Sequence, residues 1–259
     1  MNIVVLVKQV PDTWAERKLD ASDKTLDRAS VDVVMNEIDE YAVEEALQIQ
    51  EREGGEVTIV SMAPDRGVET IRKALSMGAD KAVHLVDDAL KGSDAIQTSY
   101  AISKVLGTLE YDLVICGSEA TDSRMAVMGA LLAERLGVPQ LTGARKVTVD
   151  SGTVRIERQT ENGYDVVEAP TPAVVSVVEK INEPRYPSFK GIMAAKKKPL
   201  TTLSLADAGI EADQVGLAGA PSQVVEFATK PPRQAGQIVK DEGDGGAKIA
   251  EFLAAQKLV

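Results

Sequence analysis

A chain of 259 residues, 44% hydrophobic and 27% charged, has material for one large core, or for one domain with an arm. Its formal net charge of -11 repels nucleic-acid backbones and anionic lipid, and its aromatic content of 3% leaves no base-stacking platform. One cysteine, Cys116, and one histidine, His84, exclude a disulfide framework, multi-cysteine or multi-histidine metal sites and histidine triads within the chain.

The first predicted element is a buried strand over 3–7. Its apolar stretch is too short for a signal h-region and has no basic n-region. No apolar run approaches the roughly 20 residues needed to span a bilayer. With the lone cysteine, this predicts a cytoplasmic protein without membrane insertion. Ala42, Val43, Ala46, Leu47 and Ile49 have helical spacing and predict a helix over 40–52, ended by Gly54-Gly55. A strand over 57–60, a helix over 68–77 and a strand over 81–85 follow. Ser93 caps a helix over 94–106, a fourth strand covers 113–116, and a helix over 125–136 closes at Gly137. This alternation predicts an α/β fold: a doubly wound, mostly parallel, Rossmann-like sheet with helices on both faces.

The pattern then changes. Strands over 144–149, 154–159 and 164–168 are joined by turns at Asp150-Ser151-Gly152 and Glu161-Asn162-Gly163, the latter with the Asn-Gly hairpin signal. With a further apolar strand over 173–178, they predict an antiparallel addition to the parallel core. From Asn182 the periodicity fades, prolines recur, and only a short helix over 246–256 is expected. A structureless tail this long is unusual inside a compact domain. The division expected is a domain over 1–186 and a C-terminal arm over 187–259 packed on another chain.

Neither G-x-G-x-x-G after the first strand nor G-x-x-x-x-G-K-[ST] occurs. A nucleotide site is suggested by position instead. In open α/β sheets, ligands bind at the carboxyl ends of strands where the strand order reverses. If the first and fourth strands flank that point, it carries Lys8, Gln9 and the run Gly117, Ser118, Glu119, Ala120, Thr121, Asp122, Ser123, Arg124, Met125, Ala126, Val127 and Met128. Three hydroxyls, one arginine and a helix N-terminus suit a phosphate; an ordinary βα loop is the other reading. Cys116 reads as a buried structural thiol, His84 as a satisfied strand residue, and Glu44-Glu45 as a solvated acid pair.

The most distinctive segment runs Asn182-Glu183-Pro184-Arg185-Tyr186-Pro187-Ser188-Phe189-Lys190-Gly191-Ile192-Met193-Ala194-Ala195-Lys196-Lys197-Lys198. Phe189, Ile192 and Met193 beside three lysines form an apolar anchor with a basic rim, suited to an acidic, grooved protein partner. A helix with its apolar side in the core and its lysines in water fits the residues equally.

This segment resembles the signature of the electron-transfer flavoprotein β subunit family, and the chain is similar to its actinobacterial type. The likeness extends over essentially the whole chain. It includes Val7-Lys8-Gln9-Val10-Pro11-Asp12, Ala42-Val43-Glu44-Glu45-Ala46, Ala74-Leu75-Ser76-Met77-Gly78-Ala79-Asp80 and Pro172-Ala173-Val174-Val175. The resemblance implies an adenine nucleotide alpha hydrolase-like fold and a heterodimer with an α subunit that holds most of the redox FAD. It implies AMP with a structural role in β, replaced by a second FAD in electron-bifurcating members, and a C-terminal arm that wraps α. Electrons would pass from flavoprotein dehydrogenases, such as acyl-CoA dehydrogenases, to a quinone oxidoreductase, with no catalytic residues in this chain.

Carried over by position, the AMP site takes in Leu6, Asn36, Glu37, Ile38, Asp39, Met62 and residues 117–128. The dehydrogenase-recognition loop falls on Tyr186, Pro187, Ser188, Phe189, Ile192 and Met193, and Lys196, Lys197, Lys198 and the arm would lie toward the α subunit. The chain departs from the family twice. Phe189 stands where leucine is common, and the acid-rich Asp-x-Asp-Thr/Cys-x-Gln pattern reads Asp122-Ser123-Arg124-Met125-Ala126-Val127. The alternative from another class is a flavin-free nucleotide-binding signalling module.

Overall fold

Alternation along the first strand decides the layering. In the computed structural model, which describes residues 1–233, 236 and 238–259, β1 (Asn2–Leu6) is buried on both faces. Ile3 and Val5 join one apolar cluster, while Val4 and Leu6 join another. A strand with two apolar faces needs a helical layer on each.

The elements that follow are β2 (Gln9–Pro11), β3 (Val33–Met35), α1 (Glu37–Glu53), β4 (Glu56–Met62), α2 (Val68–Met77), β5 (Lys81–Leu85), α3 (Ala95–Leu106) and β6 (Leu113–Gly117). After these come α4 (Met128–Leu136), β7 (Gln140–Asp150), β8 (Thr153–Thr160), β9 (Gly163–Pro170), β10 (Ala173–Val177), α5 (Phe189–Ala195), β11 (Leu200–Leu203) and α6 (Gly245–Ala255). Ala42, Val43 and Leu47 of α1 and Ile71 and Leu75 of α2 fill the cluster around Ile3 and Val5. Ala101 and Val105 of α3 and Leu132 of α4 fill the one around Val4 and Leu6. Each large aliphatic side chain buried this way contributes about 1.5–3 kcal/mol.

Among the described residues the main sheet has nine strands, in the order β11-β5-β4-β1-β6-β10-β7-β8-β9. From β11 to β7 the neighbours are parallel, and the β7-β8-β9 meander is antiparallel. The doubly wound, mostly parallel sheet with an antiparallel addition is therefore present. The strand expected over 173–178 does not belong to that addition: β10 lies parallel between β6 and β7.

Three further expectations are corrected. The helix expected from Met125 begins at Met128, because Arg124 (φ 50) and Ala126 (φ 54) are left-handed. Asp94, not Ser93, caps α3: its carboxylate accepts from Gln97 N in a capping box, while Ser93 Oγ accepts from Gly216 N at 2.8 Å. The chain after Pro187 is not uniformly irregular, since α5 packs on α2 and β11 extends the sheet beside β5.

Two compact units result, Met1–Val225 and Glu226–Val259. In the second, Asp241 Oδ1 accepts from Gly243 N and Gly245 N, and Ile249 and Phe252, one helical turn apart on α6, are exposed. Gln234, Ala235 and Gln237, within the expected arm, lie outside the described residues. Among the described residues no helix is long and apolar enough to cross a membrane.

Candidate nucleotide site and docking surface

The chain leaves β1 toward β4 on one side and returns to β6 on the other, so the strand order reverses between β1 and β6. Their carboxyl ends lead into Lys8 and into the loop from Ser118 to Val127. The first turn of α1 closes over both. Asp39 Oδ2 accepts from Lys8 N at 2.8 Å. A Cβ on Gly117 would sit 2.5 Å from Asp39 Oδ1 and 3.0 Å from Ile38 Cγ2, so only glycine admits α1 this close to β6. Burial pushes the Asp39 carboxyl up to about 7, against the lowering effect of hydrogen bonds from Asn36, Lys8 and Gly117.

Asn36, fully buried, braces the loop. Its Nδ2 donates to Glu119 O at 2.9 Å, its Oδ1 accepts from Thr121 N at 3.1 Å, and its N donates to Lys8 O at 2.9 Å. Asp122, with a side chain 2% exposed, takes Lys8 Nζ at 2.7 Å and Arg28 Nη2 at 2.8 Å. Burial opposes its ionisation, but Lys8 and Arg28 outweigh burial and hold the carboxyl below its ordinary range. Arg28 Nη1 also donates to Gln9 O at 2.9 Å. Sequence reasoning missed Arg28; its one signal is a cation next to Asp27 in a stretch that also holds Asp20 and Asp23.

Among the described residues no side chain caps the N-terminus of α4, and none partners the buried Thr121 hydroxyl. Ser123, Arg124, Met125 and Ala126 are exposed; Ser118, Glu119, Ala120, Val127 and Met128 are partly buried. Leu6 and Met62 lie in the apolar cluster beneath, and Glu37 is exposed. An uncapped helix end and an orphan hydroxyl, beside the Lys8 and Arg28 pair on Asp122, fit an anionic phosphate. Among the described residues no cluster of His, Cys, Asp or Glu is placed to hold a metal.

The second surface lies on α5. Ser188 caps it, its Oγ accepting from Gly191 N at 3.0 Å. A Cβ on Gly191 would sit 2.6 Å from Ser76 O, so that glycine lets α5 rest directly on α2. Ala195 is buried on the same side. The opposite side presents Phe189, 80% exposed, with Ile192 and Met193; Tyr186 just before it is 95% exposed. Pro187 is partly buried behind them, and Lys190, Lys196 and Lys197 are exposed around them. Lys198 points elsewhere: its Nζ donates to Leu75 O, Gly78 O and Ala79 O, closing the C-terminus of α2. The structure thus separates Lys198 from the other two lysines. Glu44 and Glu45, expected in water, are buried and bonded to Arg185 and Asn182.

A profile of the electron transfer flavoprotein domain matches residues 23–208. Electron transfer flavoprotein subunit beta of Mycobacterium leprae is 57% identical over 264 residues, covering 100% of this chain and 99% of that protein. The Mycobacterium tuberculosis subunit is 56% identical over 264 residues, with the same coverage. Caffeyl-CoA reductase-Etf complex subunit CarD of Acetobacterium woodii is 35% identical over 241 residues, 92% of each chain. The chain belongs to the electron transfer flavoprotein β-subunit family.

A β subunit of an electron transfer flavoprotein is an electron-carrier subunit, with an α subunit as its partner in a flavoprotein complex. Its lone histidine and cysteine are used for packing. His84 is buried on β5 with Nε2 2.9 Å from Ala63 O. Burial, with a contribution from Asp39, pushes the Cys116 thiol up to about 12, far from thiolate chemistry.

Proposed function

We propose that this β subunit holds AMP at the β1–β6 switch point and presents the surface over 186–193 to flavoprotein dehydrogenases, acyl-CoA dehydrogenases among them. The FAD that they reduce is held mainly by the α subunit, and its electrons go on to a quinone oxidoreductase. Asn36, Asp39 and the loop over 117–128 would surround the nucleotide. The uncapped N-terminus of α4 and Lys8 would face its phosphate. When bound, AMP supplies no redox chemistry; its role is structural. Lys196, Lys197 and the apolar side of α6 would meet the α subunit, in the cytoplasm.

The observation that carries this reading is the pair Tyr186 and Phe189, both highly exposed, the first just ahead of α5 and the second opening that helix, which is itself seated on α2. Large aromatic side chains displayed on a braced backbone supply most of the energy of many protein interfaces. The uncapped end of α4 and the orphan Thr121 hydroxyl at the switch point support the nucleotide half.

Acid release of nucleotides from the purified αβ heterodimer tests that half. One FAD and one AMP per heterodimer are expected. Two FAD would mean a bifurcating component instead, and FAD alone would remove the switch-point assignment.

A further inference from the structure

The surface proposed for donor docking rests on a helix of seven residues, too short to hold its shape in water. Its order comes from outside the helix. Arg185, just ahead of Tyr186, forks onto Glu44 of α1 through Nε at 2.7 Å and Nη2 at 2.9 Å, and its backbone N reaches the same carboxylate at 3.1 Å. Its Nη1 continues to Glu51 Oε1 at 2.7 Å. Glu44 and Glu51 stand two turns apart on one side of α1, so the guanidinium spans both. Beside it, Asn182 Nδ2 donates to Tyr41 O and Glu45 Oε2, each at 3.1 Å. At the far end of the helix, Arg72 Nη1 donates to Ala195 O at 2.6 Å and Lys198 O at 2.9 Å.

Tyr186 lies between the Arg185 anchor and the Ser188 cap, yet its own side chain is 95% exposed. Without an anchor, ordering this stretch would subtract from the free energy of docking. A planar, bidentate fork fixes direction as well as distance, which an ammonium group does not. We infer that Arg185 is a positioning residue: its fork on Glu44 and Glu51 sets the entry of the chain into α5, so that Tyr186 and Phe189 meet a donor in one preset orientation. This rests on the docking reading above and concerns how that surface is held. Glu44 fits the role. Burial opposes its ionisation, but Arg185, with a hydrogen bond from Gln48, outweighs burial and keeps it charged.

The test uses the intact αβ heterodimer with a donor dehydrogenase as substrate. Arg185→Gln should raise KM for the donor about tenfold with kcat within about twofold, as expected when a binding-competent state becomes a minor fraction of the population. Amide hydrogens over 186–195 should exchange roughly tenfold faster, with FAD and AMP content unchanged. Arg185→Lys, which keeps the charge and loses the fork, should fall between. The double variant Arg185→Gln with Glu44→Gln, which leaves no buried charge alone, should be no worse than Arg185→Gln. Phe189→Ala reads the docking surface directly. If it raises KM and Arg185→Gln does not, the inference is wrong and the docking reading stands. If Phe189→Ala has no effect on KM, the docking reading fails and takes the role of Arg185 with it. If Arg185→Gln and the double variant both lose FAD, AMP or the α subunit, Arg185 serves the fold at large and the inference is overturned.

Discussion

Replacing Asp122 with asparagine removes the charge that joins two cations at the switch point. The carboxylate is 2% exposed and receives Lys8 Nζ at 2.7 Å and Arg28 Nη2 at 2.8 Å. Removing one partner of a buried ion pair commonly costs about 3–5 kcal/mol, because the charge left behind is buried and alone. Here the remaining side chains are 39% and 29% exposed and can recover water, and asparagine keeps one acceptor. The cost therefore falls to roughly 2–3 kcal/mol. For a chain of this size that lowers the melting temperature by roughly 5–10 °C. Calorimetry of the heterodimer reads the loss, and acid-released AMP, expected to fall, reads its effect on the loop over 117–128. A melting temperature within about 1 °C of wild type, with AMP retained, would show that Asp122 does not organise this site.

Two further outcomes are expected. Asp39, whose carboxyl burial pushes up to about 7, should make folding less stable as pH rises. Between about pH 4 and 7 the unfolded chain releases this proton and the folded one keeps it, so stability falls through that window and levels off above it. The loss is on the order of 4 kcal/mol, at about 1.4 kcal/mol per unit. Urea unfolding of wild type and Asp39→Asn across that range should differ in slope; parallel curves would contradict it. Lys198→Met, which leaves three carbonyls at the end of α2 without their cation, should lower stability by about 2 kcal/mol. It should not change the salt dependence of subunit assembly. Lys196→Ala with Lys197→Ala should do the reverse, and assembly rates against ionic strength separate the two.

Much of the fold was legible in the sequence because its core elements are periodic and self-contained. Residues 68–77 show the helical repeat between a turn and Gly78, and α2 has those limits. β2 and β3 were not legible: three residues are too few to show a period, and the loop between them has none. β11 escaped for a related reason. Thr201 and Thr202 are exposed on an edge strand, so no apolar run marks it. The early start assigned to α4 came from reading Arg124 and Ala126 as ordinary helix formers, since nothing in their identity announces a left-handed backbone. At the sites, position revealed the switch point but not its counter-charges. Arg28 is 94 residues from Asp122, and Arg185 is 141 residues from Glu44. Adjacent acids look solvated until the fold brings a guanidinium to them.

Helix α1 connects the two surfaces. Its 17 residues make a rod about 25 Å long. At one end, Asp39, with Asn36 just before the helix, closes the switch point against Lys8 and the loop over 117–128. Farther along, Glu44, Glu45 and Glu51 hold Asn182 and Arg185. A nucleotide that braces the first end would steady the support on which Tyr186 and Phe189 stand. Under the proposed reading, that would give a structural nucleotide a physical purpose in a carrier with no bond to break, since docking would depend on a surface being held in place. The same logic explains the chemistry of the chain. Buried carboxylates that elsewhere serve proton transfer are here enclosed by backbone N–H groups, asparagine, arginine and lysine, and each fixes one segment of the chain against another.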